Sequence, residues 1–150
     1  KNTNDIKITI MNRSLFNALH GLGFPIGEKK NKLKIPKWVL NQKWDKQKYL
    51  IRGLFDTDGC IFGKKNQNYK HPYIAICSYT PILLKQLYNL LTNRDYDCNI
   101  SGNNLVVKGD KNIIKWMKDI GSNNKRHTIK YDYWLKNGVL PAYLIKGPII

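Results

Sequence analysis

Acidic residues are scarce in this chain: 10 Asp and Glu stand against 26 Lys and Arg among 150 residues, a net charge of +16. That imbalance disfavours a cationic partner and points to a polyanion, of which nucleic acid is the commonest. Long apolar runs are missing too. No stretch approaches the roughly 20 residues needed to span a bilayer, and no basic helix has the purely aliphatic opposite face of an interfacial anchor, so we read no membrane partner. Cysteine is limited to Cys60, Cys77 and Cys98, odd in number and widely spaced, which argues against a disulfide framework or a metal role. Set among strand-like residues, they read as reduced core positions of an intracellular protein. His20, His71 and His127 are too scattered for a zinc site. No secretion signal is visible, so the expected compartment is the cytoplasm or an organelle matrix. Without an initiator Met the chain reads as a processed product. With 42% hydrophobic residues it can bury one core, and we read residues 1–150 as a single domain.

What is present is organised around the stretch from Tyr49 to Gly59. Leu50, Ile51, Leu54 and Phe55 recur at the offsets that put side chains on one helix face. Asp56 and Asp58 follow at the expected helix C-terminus, where the macrodipole is negative, and Gly59 is expected to turn with positive φ. Acids set against the dipole are more easily explained by a bound cation than by helix stability; an amphipathic helix with an Asp-Gly stop is the plainer alternative. A calcium loop is excluded. Counting from Asp56, the fifth, sixth and twelfth positions are Cys60, Ile61 and Gln67, where an EF-hand needs an acid or amide, Gly and Glu.

On either side the elements alternate. Ile6 to Ile10 alternates like a half-buried strand, Ser14 is placed to cap a helix through Leu22, and Gly23 stops it. A basic stretch from Gly27 to Lys34 follows, which by itself reads as a solvated surface. Beyond the motif, Cys60–Lys64 and Tyr73–Cys77 read as strands joined by a turn around Asn66–Asn68. Thr80-Pro81 opens a helix with an apolar stripe of Leu83, Leu84, Leu87, Leu90 and Leu91. Asn99–Lys108 forms a hairpin with Gly102-Asn103 in its turn. Asp110 caps a helix to Ile120, Gly121 ends it, Lys125-Arg126 follow, and Thr128–Asn137 reads as a last helix stopped by Gly138. Strand, helix, Gly and basic loop thus occur twice. Residues 1–36 are therefore either the tail of a preceding repeat or an extension that only looks alike, and 46–138 form the core αββαββα unit plus a C-terminal helix.

Ile51–Gly59, IRGLFDTDG, resembles the nine-residue motif of the LAGLIDADG homing endonucleases, with Gly, Asp, Asp and Gly in register. Ile35-Pro36-Lys37-Trp38 before it and Cys60-Ile61-Phe62 after it fit the same pattern, and the resemblance continues to about residue 138. It implies an α+β fold, αββαββα, with a curved antiparallel sheet packed on helices. The implied activity is site-specific cleavage of double-stranded DNA by phosphodiester hydrolysis with magnesium or manganese. Asp58, the second acid, is implied as the metal ligand, with the Thr57 backbone carbonyl as a second oxygen, and Asp56 helps to fix the turn. Lys125, with Arg126 as substitute, is implied beside the water and the scissile phosphate. At the end of the second strand, where the family often has Gln, this chain has Ser78.

The concave sheet face is the implied reading surface. Counted by alternation from Asp58, it presents Phe62, Lys64 and Asn66 on the first strand and Tyr69, His71, Tyr73 and Ala75 on the second. The short hairpin adds Asn99, Ser101, Asn104, Val106 and Lys108; a one-residue slip would reverse each assignment. Lys and Asn can bond base edges, and Tyr can reach phosphate or a thymine methyl. One motif supplies one Asp58 while two strands must be cut. The resemblance therefore implies a homodimer, or a second half, joined through residues 50–59, with Gly53, Leu54 and Asp56 at the helix interface and Leu54 exposed in the lone chain. Two rivals stand beside this reading. One is a domain that keeps the fold without cleavage, as a DNA-binding regulator or an RNA-splicing maturase; the other is a single-stranded RNA binder stacking bases on Tyr69, Tyr73 and Tyr79.

Overall fold

The motif stretch ends the longest helix of the molecule. The computed structural model describes residues 10–25, 27 and 32–141, so all but the last residue of the strand expected at 6–10, half of the basic stretch at 27–34 and the tail beyond residue 141 lie outside the described residues. Helix α1 spans Arg13–Gly21, α2 Lys37–Leu40 and α3 Trp44–Asp58. Ile51 and Phe55 of α3 are fully buried, and Gln47 beside them is buried with its amide donating 2.7 Å to the Leu40 carbonyl. Leu50 and Leu54 are half-buried against the same core.

Strand β1 (Gly59–Gly63) leaves α3 without a loop and pairs antiparallel with β2 (Pro72–Cys77), Phe62 opposite Tyr73. Helix α4 (Pro81–Thr92) follows, with Pro81 opening it and Leu83, Leu84, Leu87 and Leu91 buried. The hairpin of β3 (Cys98–Ser101) and β4 (Asn104–Val107) completes a sheet ordered β1-β2-β4-β3. Alternation then divides the faces. Ile61, Ile74, Ile76, Cys98, Leu105 and Val107 are buried on one side, where α3, α4 and α5 (Asp110–Asp119) pack. The other face carries Cys60, Phe62, Tyr73, Ala75, Cys77, Asn99, Ser101, Asn104 and Val106, and among the described residues no helix covers it. The αββαββα order is the expected one. Among the described residues no helix is long and apolar enough to cross a membrane.

Helix α6 (Lys125–Asn137) begins three residues earlier than its apolar pattern indicates, because Asn124 accepts from the Arg126 amide and caps it. It closes the open edge of β1, whose outward carbonyls would otherwise invite another strand. His127 Nε2 lies 3.2 Å from Gly59 O, Lys130 Nζ donates 3.0 Å to Ile61 O, and Trp134 Nε1 donates 2.8 Å to Lys70 O.

Several expectations are corrected. Gly59 has φ −101°, extended backbone and not a left-handed turn. Asn12, not Ser14, caps α1 through the Leu15 amide, and Gly109 with φ 88° precedes α5 in place of an Asp110 cap. Cys60 and Cys77 are exposed on the open sheet face; only Cys98 is buried, and burial pushes its thiol up to about 11. Leu54, expected to be exposed, is half-buried against the core.

Acidic helix end and open sheet face

At the C-terminal turn of α3 the two acids part company. Asp58 is exposed, and its contact is the neighbouring Thr57 hydroxyl, which donates to Oδ2 at 3.2 Å and also bonds the Gly53 carbonyl at 3.0 Å. Asp56 is drawn into the loop before α6. Its carboxylate accepts from the Ser122 hydroxyl and, at 3.0 Å, from the Asn123 amide, while its carbonyl accepts the Asn124 side-chain amide at 2.9 Å. Asp56 thus ties the end of α3 to the loop before α6, in keeping with a part in fixing the turn. Gly53, one turn before, is exposed, and a Cβ built on it would meet no described atom within 4 Å.

Lys125 is the first residue of α6 and is exposed, in the segment bound to Asp56, with Arg126 exposed beside it. His127, one turn in, is only 4% exposed and stacks on Phe55 with centroids 4.2 Å apart. Burial is the main influence pulling its pKa down; Lys130 and Arg126 act in the same sense, and the Gly59 carbonyl and Asp56 oppose them. With its pKa lowered, His127 takes up a proton less readily in the fold than in the unfolded chain, where titration is near 6.5. The unfolded state then binds more protons, so stability should fall as pH drops through and below that value. We expect the melting temperature between pH 7.5 and 5 to fall more steeply for wild type than for His127→Gln, and parallel slopes would contradict the assignment.

On the open sheet face the expected register holds for Phe62, Tyr73, Ala75, Asn99, Ser101, Asn104 and Val106. Phe62 and Tyr73 stack at 5.3 Å, and the Lys64 ammonium sits 4.8 Å above the Tyr73 ring. Lys64 and Lys108 flank a concavity floored by Phe62, Tyr73, Asn99 and Val106. Lys108 also pairs with Asp97 at 3.6 Å, and exposed His71 meets Asp110 at 3.3 Å. Asn66 and Tyr69 do not continue the strands. Lys65–Gln67 is a 3-10 turn and Asn68 and Tyr69 have φ of 51° and 57°, so alternation does not carry across, and Tyr69 packs against the core. Ser78 is half-buried and accepts the Thr80 amide at 3.1 Å; Tyr79 is exposed.

Ser122, Asn124, His127 and Lys130 were not singled out from the sequence. The only local hint is the run of capping residues Ser122-Asn123-Asn124 after Gly121. As to a metal, among the described residues no three His, Cys, Asp or Glu gather to hold one. The donors at the helix end nonetheless suit magnesium, which commonly takes one or two carboxylates and completes its shell with substrate phosphates and water. Asp58 offers an exposed carboxylate, and the Thr57 carbonyl is among the last four of α3, which have no intrahelical partner.

An α+β unit with helices behind a four-stranded antiparallel sheet, one sheet face left open by the described residues and two acids ending the central helix, is the class of molecule these features define. Residues 45–129 match the family model described as LAGLIDADG-like domain, more than half of the chain, and the protein belongs to the LAGLIDADG family. That family comprises homing endonucleases and maturase-like DNA-binding proteins. Comparison with curated proteins and with solved structures finds no significant match.

Proposed function

We propose that the chain is a LAGLIDADG-type endonuclease that binds a duplex DNA site with the open sheet face and hydrolyses phosphodiester bonds with magnesium at Asp58. The observation that carries this reading is the exposed carboxylate of Asp58, held against the helix dipole beside the basic start of α6 in a chain of net charge +16. A DNA-binding surface would gain from shedding an exposed acid; a phosphate-directed cation needs one. When bound, the cation neutralises charge developing on the phosphate and lowers the pKa of its water. The protein's own part is to orient. Asp58 and the Thr57 carbonyl would hold the cation, Lys125 would face the phosphate, and Lys64, Asn99, Ser101 and Asn104 would contact the duplex.

A second half is required to place a second acid. The free face of α3, with Tyr49 and Gly53 exposed, supports pairing with another motif helix. Helix α1 supports the same conclusion. Superposing Gly23 (φ 90°) on Gly121 (φ 73°) sets Leu15, Phe16, Leu19 and Leu22 against Ile113, Ile114, Met117 and Ile120. The first four are exposed, whereas Ile113 and Ile120 are fully buried on the core. The exposed stripe of residues 10–25 supports reading them as the tail of a preceding repeat. Gly53→Ala tests the pairing. Alone, the chain should gain about 0.5–1 kcal/mol of helix stability, while sedimentation of the DNA complex should show weakened pairing; unchanged pairing would contradict this use of Gly53.

The binding part is tested by selecting from a randomised duplex pool with calcium present and comparing single-stranded RNA as ligand. Enrichment of one duplex site is the expected result. RNA bound more tightly than any selected duplex would overturn the reading in favour of a maturase or RNA binder.

A further inference from the structure

We infer that Ser122, Asn124 and His127 are positioning residues that lock the loop bearing Lys125 onto the end of the acidic helix, so that Asp58 and Lys125 form one rigid unit. This rests on the endonuclease reading above. The bonds of the loop converge on the two sides of Asp58. Before it, Asp56 accepts from Ser122 Oγ and the Asn123 amide through its carboxylate, and from Asn124 Nδ2 at 2.9 Å through its carbonyl. After it, the Gly59 carbonyl, which can only accept, faces His127 Nε2 at 3.2 Å, so that nitrogen carries the proton. Ser122 Oγ lies between the two sides, 3.1 Å from His127 Nδ1; its single proton goes to Asp56, and it accepts the Asn124 amide at 3.1 Å.

Asp58 itself is left out of this network, exposed and, among the described residues, bonded by Thr57 alone. Lys125 is left out in the same way: it follows Asn124 directly, inside the clamped segment, with its side chain exposed. Capping of α6 does not need the clamp, because Asn124 Oδ1 already satisfies the Arg126 amide. Nor does the end of α3, where the Gly59 amide bonds Phe55 O. What the clamp adds is a fixed relation between an acid and a lysine carried 67 residues apart in sequence, as are Asp56 and Asn123. Displacement of a reacting group by about 1 Å can cost on the order of a hundredfold in rate.

The test compares Ser122→Ala, Ser122→Thr and His127→Gln with wild type, on the full chain and its selected duplex. Single-turnover cleavage in magnesium, affinity in calcium and amide exchange over residues 122–128 are measured together. Ser122→Ala is expected to slow cleavage about 10- to 100-fold, to leave affinity within about twofold and to speed exchange of the Asn123 and Asn124 amides. Ser122→Thr, which keeps the hydroxyl, should recover most of the rate, and His127→Gln, which keeps a donor toward Gly59 O, should lie between them. Faster exchange with unchanged cleavage would overturn the positioning role, and unchanged exchange would overturn the clamp itself. If wild type cuts no duplex the endonuclease reading fails, and exchange alone then decides whether the loop is held.

Discussion

Asp58→Asn is expected to leave duplex binding intact while lowering the cleavage rate by more than about a hundredfold. Residues that merely orient a metal's ligands cost about 10- to 100-fold when removed, so loss of the ligand itself should cost more. Stability should move the other way. Asp58 makes no contact with the core; its bond is to the adjacent Thr57 hydroxyl. Removing its charge relieves an unfavourable dipole interaction of about 0.3–1 kcal/mol, so the melting temperature should hold or rise slightly. An acid whose loss costs activity and not stability is retained for chemistry. A variant that cuts like wild type would remove Asp58 from the site.

Gly59→Ala is expected to give the largest loss of stability from a single added methyl group. A Cβ built at Gly59 lies 2.5 Å from Phe55 O, 2.9 Å from Phe55 Cα and 2.4 Å from the Phe55 ring. Two of these atoms are backbone of α3 and cannot swing aside. The ring is no freer, wedged between His127 at 4.2 Å and Trp116 at 5.3 Å. Overpacking of this kind costs about 1–3 kcal/mol, or roughly 2–4 °C of melting temperature per kcal/mol in a chain of this size. Because β1 leaves α3 at this residue, the strain falls on Asp58 as well, and cleavage should drop further than the loss of folded protein explains. Thermal unfolding checks the first effect. A melting temperature equal to wild type would mean that the approach to Phe55 is not as close as described.

Glycine at this position illustrates what the chain reveals by itself and what it does not. Gly59 was conspicuous in the sequence, yet the expected reason, a positive φ, is wrong, since its φ is −101°. Close packing between α3 and β1 demands it, and that is a tertiary fact. Period-based reasoning succeeded where the backbone stays regular. Ile51 and Phe55 are the buried side of α3, and alternation from Asp58 found Phe62, Tyr73, Asn99 and Ser101 on the open face. The same alternation puts Cys60 and Cys77 outside, and their apolar neighbours misled the reading toward the core. Alternation failed at Tyr69 because Lys65–Tyr69 is not extended. The clamp was invisible for a different reason: Asp56 and Gly59 meet Ser122–His127 across 66 to 68 residues, and such polar pairings leave no local pattern.

The most direct measurement is to form the complex of the full chain with its selected duplex in calcium, exchange it into magnesium and follow the DNA strands. The endonuclease account predicts hydrolysis at a defined position within the selected site by wild type and none by Asp58→Asn at the same occupancy. A duplex that stays bound and intact in magnesium with wild type would contradict it, and would make the protein a binder that keeps the LAGLIDADG fold without its chemistry.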